Sequence, residues 1–250
     1  MNMTPNSNDI QSAWNWSDTE LFLRFGDVFV PRRSEQLSAV CDLLSDLRAP
    51  QVLDICAGQG RLAEAYLRVK PDASVTLLDN CARMLAAAQT RLRQFEGRYR
   101  LMEASIEDRS WRQACSYNAV ISSLAVHHLN AEGKRTLYRD VYNMLVPGGV
   151  FAMVDLVEAA APITRRLNGE RWTEAVRSAS LQQGCEEAAE IFEETGWNYY
   201  CLPFPDPVDK PSSVLEHLDW LREAGFVGVD IAWMYACLLY TSPSPRDSYG

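Results

Sequence analysis

Two carboxylates and two glycines carry the first chemical signal in this chain. Asp54 closes the apolar run of VLDICAGQG, residues Val52 to Gly60, and Gly58 and Gly60 follow with Gln59 between them. Glycine reaches backbone dihedrals closed to other residues and lets a ligand approach the main chain. A helix opening near Arg61 would turn free N–H groups toward a negative group. GQGRLA satisfies G-x-G-x-x-A, a dinucleotide-binding pattern, although a purely structural turn reads the same way. Asp79 ends a second apolar run, 19 residues after Gly60. A carboxylate there can accept hydrogen bonds from ribose hydroxyls, a device of NAD and adenosylmethionine enzymes alike, so it does not choose between them. Further along, His127 and His128 are candidate general bases, against the plainer reading that paired histidines pack and hydrogen-bond. Tyr200 joins them as a catalytic candidate; with Trp197, Tyr199 and Phe204 it reads either as the core of a lid or as an apolar wall around a substrate.

The elements that would position these residues are set by periodicity. Ser17 with Glu20 fits a capping box that opens a short helix to about Phe25. A longer helix starting at Pro31 puts Leu37, Val40, Cys41, Leu44 and Leu47 on one stripe, and Ala49-Pro50 ends it. Strands are expected at Val52–Ile55, Ser74–Leu78, Tyr99–Met102, Asn118–Ser122 and Val150–Leu156, with helices at Arg61–Val69, Arg83–Phe95 and Ala131–Val146 between them. Repeated β-α units of this kind predict an α/β fold with a doubly wound, mostly parallel sheet in a three-layer α/β/α arrangement. Two helical stretches and the loop GWNYYCLPFPDPVDKP form an insertion after the fifth strand, too long for an ordinary connection. A helix at Ser212–Ala224 and a strand at Phe226–Trp233 come next. The implied division is 1–48, N-terminal helices capping the site; 49–156, the ligand-binding core; 157–211, an insertion acting as substrate lid; 212–236, the last helix and strand; and 237–250, a tail. YTSPSPRD in that tail reads as a translated sequencing adapter in preference to a natural disordered end, which would leave the sheet without its closing strand.

Composition narrows the classes. The chain has 250 residues, 47% of them apolar, and a formal net charge of −9, which argues against a nucleic-acid partner because phosphate binding needs clustered Lys and Arg. Seven cysteines stand singly with no C-x-x-C pair, so neither a zinc site nor a disulfide framework is indicated and no metal ligands are assigned. No signal peptide and no membrane-spanning run are read, so a cytoplasmic protein, monomer or homodimer, is expected.

Four segments taken together resemble the class I S-adenosylmethionine-dependent methyltransferases: VLDICAGQGRLAEA, VTLLDNCARMLAAA, YNAVISSLAVHHL and LYRDVYNMLVPGGVFAMVD, in family order and at family spacing. LDWLREAGFVGVDIAWMY is similar to the family's closing helix and strand. The resemblance implies a Rossmann-like fold and S-adenosyl-L-methionine as cofactor. Asp54 with the turn Ala57, Gly58, Gln59 and Gly60 would hold its methionine part. Asp79 would take the ribose hydroxyls, with Asn80 and Met84 along the adenosine. Ser105 and Ile106, in EASIED, would meet the adenine edge, and Ser123 would lie below the sulfonium. Two departures stand out: Cys56 occupies a position that is usually glycine in the family, and Ser105 one that is often aspartate.

The reaction so implied is an in-line methyl transfer to a small-molecule acceptor, needing alignment and dryness more than a catalytic triad. Arg32 and Arg33 read as a solvated helix start in preference to a contact with the cofactor carboxylate, and Trp14 and Trp16 as staples over the site. The rivals are an NAD(P)-dependent oxidoreductase, resting on G-x-G-x-x-A alone, a cofactor-binding but inactive partner subunit, and use of a carboxylated form of the cofactor.

Overall fold

In the computed structural model, residues 16–114, 116–202, 208–235 and 238–241 are described. Two helices lead in, α1 (Trp16–Phe29) and α2 (Arg33–Leu43). The alternating core runs β1 (Gln51–Ile55), α3 (Arg61–Val69), β2 (Ser74–Asp79), α4 (Ala82–Arg91), β3 (Tyr99–Glu103), β4 (Tyr117–Ser123), α5 (Ala131–Met144) and β5 (Leu145–Leu156). Next come α6 (Pro162–Gln182) and α7 (Glu187–Glu194), then α8 (Val214–Glu223), β6 (Ile231–Tyr235) and β7 (Leu238–Thr241).

The seven strands form one sheet in the order β3-β2-β1-β4-β5-β7-β6. β1 to β5 pair in parallel, and β7 lies antiparallel between β5 and β6. Because helices cover both faces, the inner strands are apolar nearly throughout. Successive residues of β1 face opposite layers: Val52 packs with α2, α3 and α4 through Val40, Leu67 and Ala88, while Leu53 packs with α5 and α8 through Val141 and Leu221. The doubly wound α/β architecture expected from the sequence is therefore present, in three layers. A third apolar cluster joins α1 to the insertion, with Phe25 and Phe29 against Trp172, Phe192 and Tyr200. Among the described residues no helix is long and apolar enough to cross a membrane.

Several boundaries differ from expectation for physical reasons. α1 runs past Phe25 to Phe29 because that last turn is covered by the insertion. α2 begins at Arg33, two residues after Pro31, since Arg32 sits in the left-handed region at φ 51°. The helix expected to reach Phe95 gives way to a 3₁₀ turn at Arg93–Phe95. β6 starts at Ile231 and not Phe226, because Gly225 and Gly228 at φ 105° and 62° place turns between α8 and the strand. The closing strand expected to be missing is present: Leu238–Thr241, the first residues of the stretch read as a tail, pair with both β5 and β6. Residues 242–250 lie outside the described part.

Candidate functional site

Chain order reverses between β1 and β4, which are neighbours in the sheet, so their carboxyl ends open onto the crevice where this architecture binds ligands. A cavity of about 430 Å³ occupies that crevice. Its floor is the turn after β1. Cys56 and Gly58 both lie in the left-handed region, at φ 54° and 53°, so the position where the related family uses glycine does impose a glycine-like backbone. Gly60, at φ 76°, is not in the cavity wall; a Cβ there would stand 3.1 Å from Ala88 Cβ and 3.2 Å from Leu77 Cδ2, so its hydrogen side chain lets the turn press onto α4. At Gly58 a Cβ would meet nothing within 4 Å.

Asp79, at the tip of β2, is tied to this turn. Its Oδ2 accepts from the Gly58 N–H at 2.8 Å and its Oδ1 from the Cys81 N–H at 2.9 Å, which leaves lone pairs on both oxygens for a ligand. Burial raises its pKa against the pull of those N–H groups. Asp54, also in the wall, is buried, and its Oδ2 has no hydrogen-bond partner. Burial pushes its carboxyl up to about 8, the Arg33 guanidinium opposing and Asp79 reinforcing the shift. Arg33 turns inward from the first position of α2 and donates from Nη1 to Ser123 Oγ at 2.9 Å. Burial lowers it to about 10, with Asp54 opposing. The sequence reading of a solvated start holds for Arg32, which is exposed and paired with Glu35, and fails for Arg33.

Gln59 lines the cavity, but its side chain is engaged: Oε1 accepts from Arg91 Nη2 at 2.6 Å, and Nε2 donates to the Phe22 carbonyl at 3.3 Å. It thereby fastens α1 and α4 to the glycine turn. Ala57, Asn80 and Met84 complete the wall on the β1–β2 side.

The other end of the cavity is polar. After β4 the chain forms a 3₁₀ turn, Val126–His128. His127 gives its backbone N–H to Asp155 Oδ2 at 3.0 Å, and its Nδ1 meets Asp155 Oδ1 in a short contact. Burial alone would lower the His127 pKa, but the charge and hydrogen bond of Asp155 outweigh it and the net shift is upward. His127 Nε2 stands 3.5 Å from Asp209 Oδ1, and His128 Nδ1 stands 3.2 Å from the same oxygen. His128 shifts downward through burial and the neighbouring His127. Asp209 is fixed from behind: the next residue, Lys210, donates its N–H to the His127 carbonyl at 2.9 Å and accepts from the buried Lys134 Nζ.

A roof of aromatic and apolar side chains covers both ends, with Phe22 from α1 and Trp172, Trp197 and Leu202 from the insertion. The two roof segments are joined by Trp172 Nε1 donating to the Phe29 carbonyl at 2.8 Å and by the Phe29 ring 5.1 Å from that of Trp197.

Besides Gly60, three sequence candidates fall outside this wall. The Tyr200 hydroxyl donates to the Val157 carbonyl within the roof's core, and the residue does not line the cavity. Ser105 closes its own turn, with Oγ accepting from the Glu107 N–H at 3.2 Å and its carbonyl from Trp111 Nε1 at 2.9 Å, and neither it nor Ile106 reaches the wall. Trp14 and Phe204 lie outside the described residues, as does the side chain of Trp16. Besides Arg33, sequence reasoning missed Asp155 and Asp209. A carboxylate ending the apolar strand VFAMVDL was a usable signal for Asp155; nothing in DPVDKP marks Asp209.

Residues 52–149 match the family model described as "Methyltransferase domain". A demethylmenaquinone methyltransferase of Chlamydia trachomatis is 29% identical over 126 residues, 49% of this chain and 51% of that protein. An uncharacterized methyltransferase of Synechocystis is 30% identical over 106 residues, 42% of this chain and 47% of its own length. The chain thus spans about half the length of these curated relatives. Among solved structures, one from Methanococcus maripaludis, described as an S-adenosyl-L-methionine-dependent methyltransferase on provisional grounds, superposes with a TM-score of 0.61 at 16% identity, covering 99% of this chain and 98% of that one. The apo S-adenosylmethionine-dependent methyltransferase SibL gives 0.59 at 23% identity, over 84% of this chain and 55% of that one. These two likenesses concern the fold.

Proposed function

We propose that this chain, whose residues 52–149 match a methyltransferase domain, is a class I S-adenosylmethionine-dependent methyltransferase that transfers a methyl group to a small molecule held between the glycine turn and the aromatic roof. The observation that carries this reading is Asp54 Oδ2, a buried oxygen without a partner in the wall of a ligand-sized cavity. A buried carboxylate oxygen without a hydrogen bond is costly, and the ammonium of an amino-acid moiety would supply one. The residues present fit the cofactor in two further respects: Arg33 offers a half-buried cation for a carboxylate beside that ammonium, and open space above Gly58 admits a ligand against the main chain.

In this reading Asp54 binds the amino group, Arg33 the carboxylate, and Asp79 the ribose hydroxyls, while Met84 and Asn80 flank the adenosine. Ser123, bonded to Arg33, sets the height of that guanidinium over the strand tips. When bound, the cofactor supplies a methyl group on a sulfonium, already activated for displacement. The roof excludes water and aligns the acceptor. Its apolar lining, and relatives named for demethylmenaquinone, favour a ring-bearing acceptor with little charge. The polar end at His127, His128 and Asp209 receives the acceptor atom that must shed a proton.

The nicotinamide reading loses its support, since G-x-G-x-x-A also occurs in this fold and the relatives are methyltransferases. Calorimetry with S-adenosylhomocysteine and with NADH tests the choice. Binding of the first alone is expected, weakened by about 1–3 kcal/mol in Asp79→Ala. Binding of NADH, or an unchanged affinity in Asp79→Ala, refutes the proposal. Labelled methyl transfer to fractionated small-molecule pools separates an enzyme from an inactive partner subunit.

A further inference from the structure

We propose that His127, His128 and Asp209 form a binding site for one divalent first-row transition-metal ion at the acceptor end of the cavity. Three independent features of the structure support it.

The first is ligand geometry. The three donor atoms lie within 4.8 Å of one another, and the distances of the two imidazole nitrogens from Asp209 Oδ1 are 3.2 and 3.5 Å. Ligand atoms about 2.1 Å from a tetrahedral ion stand roughly 3.4 Å apart, so the ion fits among these atoms with only small adjustments of the side chains.

The second is outer support. A histidine ligand normally gives its other ring nitrogen to a carboxylate, which fixes the tautomer and aims the ring. Asp155 does this for His127: it takes both the Nδ1 contact and the backbone N–H, and it also accepts from the Leu156 N–H at 2.8 Å. Nε2 is left as the atom directed to Asp209. Asp209 in turn is held by the Lys210 contacts to the His127 carbonyl and to Lys134, whose ammonium also reaches Ser212 Oγ at 2.9 Å. The donors therefore sit on two segments locked to each other.

The third is charge. Two carboxylates, Asp155 and Asp209, enclose one cluster with two imidazoles, and the chain as a whole carries −9. Even with the Lys134 ammonium beside it, the cluster with neutral imidazoles keeps net negative charge, which a bound cation offsets. Two imidazoles and one carboxylate favour zinc, iron, nickel or copper over magnesium or calcium. All three ligands line the cavity, so the remaining coordination positions face the acceptor. The site then favours acceptors bearing an oxygen able to enter the metal's open position, a deepening that rests on the methyl-transfer reading.

Cobalt(II) is the probe for the test. Chelator-treated protein is titrated with Co(II) and followed by visible absorption and calorimetry, with Zn(II) as competitor. One ion per chain with the absorption of a low-coordinate site is expected, with uptake abolished in Asp209→Asn and in His128→Gln. Asp155→Asn should weaken uptake by about 10–100-fold. S-adenosylhomocysteine binding, read on the same samples, should persist in the Asp209 and His128 variants and so reports their folding. Should either variant not fold, Zn(II) added to the native chain must perturb two of its three histidine ring signals in NMR. Absence of uptake by the native chain, or uptake undiminished in folded variants, overturns the metal site while leaving cofactor binding intact. Metal uptake without S-adenosylhomocysteine binding overturns the methyl-transfer reading and not the site.

Discussion

Asp54 shows how one side chain exchanges stability for binding. Its carboxyl is neutral up to about pH 8 in the folded chain, against an ordinary value of 3.8. A raised carboxyl contributes stability that is complete below its unfolded value and is lost as pH climbs through the folded one. The unliganded protein should therefore weaken between about pH 4 and pH 8, and Asp54→Asn should flatten that decline, raising the melting midpoint at pH 8 by at least about 2–4 °C, or 1 kcal/mol. The same substitution should reduce S-adenosylhomocysteine affinity, and should abolish the rise in affinity expected of the native chain from pH 6 to pH 8 as the carboxylate ionises. Melting curves and calorimetry at the two pH values check both. A native chain whose midpoint is level across that range would contradict the raised carboxyl assigned to buried Asp54.

The turn between β1 and α3 separates two uses of glycine. Gly60 has left-handed backbone and neighbours at 3.1 and 3.2 Å, whereas Gly58 has left-handed backbone and open space. Gly60→Ala should thus destabilise by roughly 1–3 kcal/mol through strain and overpacking. Gly58→Val should leave more of the fold intact and obstruct the ligand, visible as lost S-adenosylhomocysteine binding in a chain that still melts cooperatively. This turn was legible in the sequence because its signals are local: an apolar strand, an aspartate, two glycines and a second carboxylate one β-α unit later. Arg33 was not, because the contact that reveals it, with Ser123, spans 90 positions. Asp209 was hidden for the same reason, being paired with histidines from a different segment. Ser105 and Tyr200 show the opposite case, standing outside the cavity wall. Each had a suitable chemical group near the right place in the chain, but a nearby backbone partner had already taken it.

For the whole molecule, the parallel β-α units were readable from the alternation up to β5, but not the return of β4 to the side of β1, which the alternation does not encode. Beyond β5 the order was hidden as well, since β7 enters between β5 and β6 and its short LLYT run is followed at once by the polar, turn-rich SPSPRD. Binding of a ligand to the native state alone stabilises by about 2.7 kcal/mol at a hundredfold excess over Kd. For a chain of this size, saturating S-adenosylhomocysteine should then raise the midpoint by roughly 5–10 °C, with no comparable effect from NADH.

The roof over the cavity has a kinetic corollary. Its two halves come from stretches far apart in the chain, α1 and the insertion, and they are cross-linked by the Trp172–Phe29 hydrogen bond and by Phe29 against Trp197. Neither half can swing away without its fellow, so spent cofactor should escape more slowly than methyl is passed on. Rapid-quench measurements would then register a first round completed ahead of a slower steady rate, and Trp172→Phe, which cuts the hydrogen bond but keeps an aromatic ring, should narrow the difference between the two.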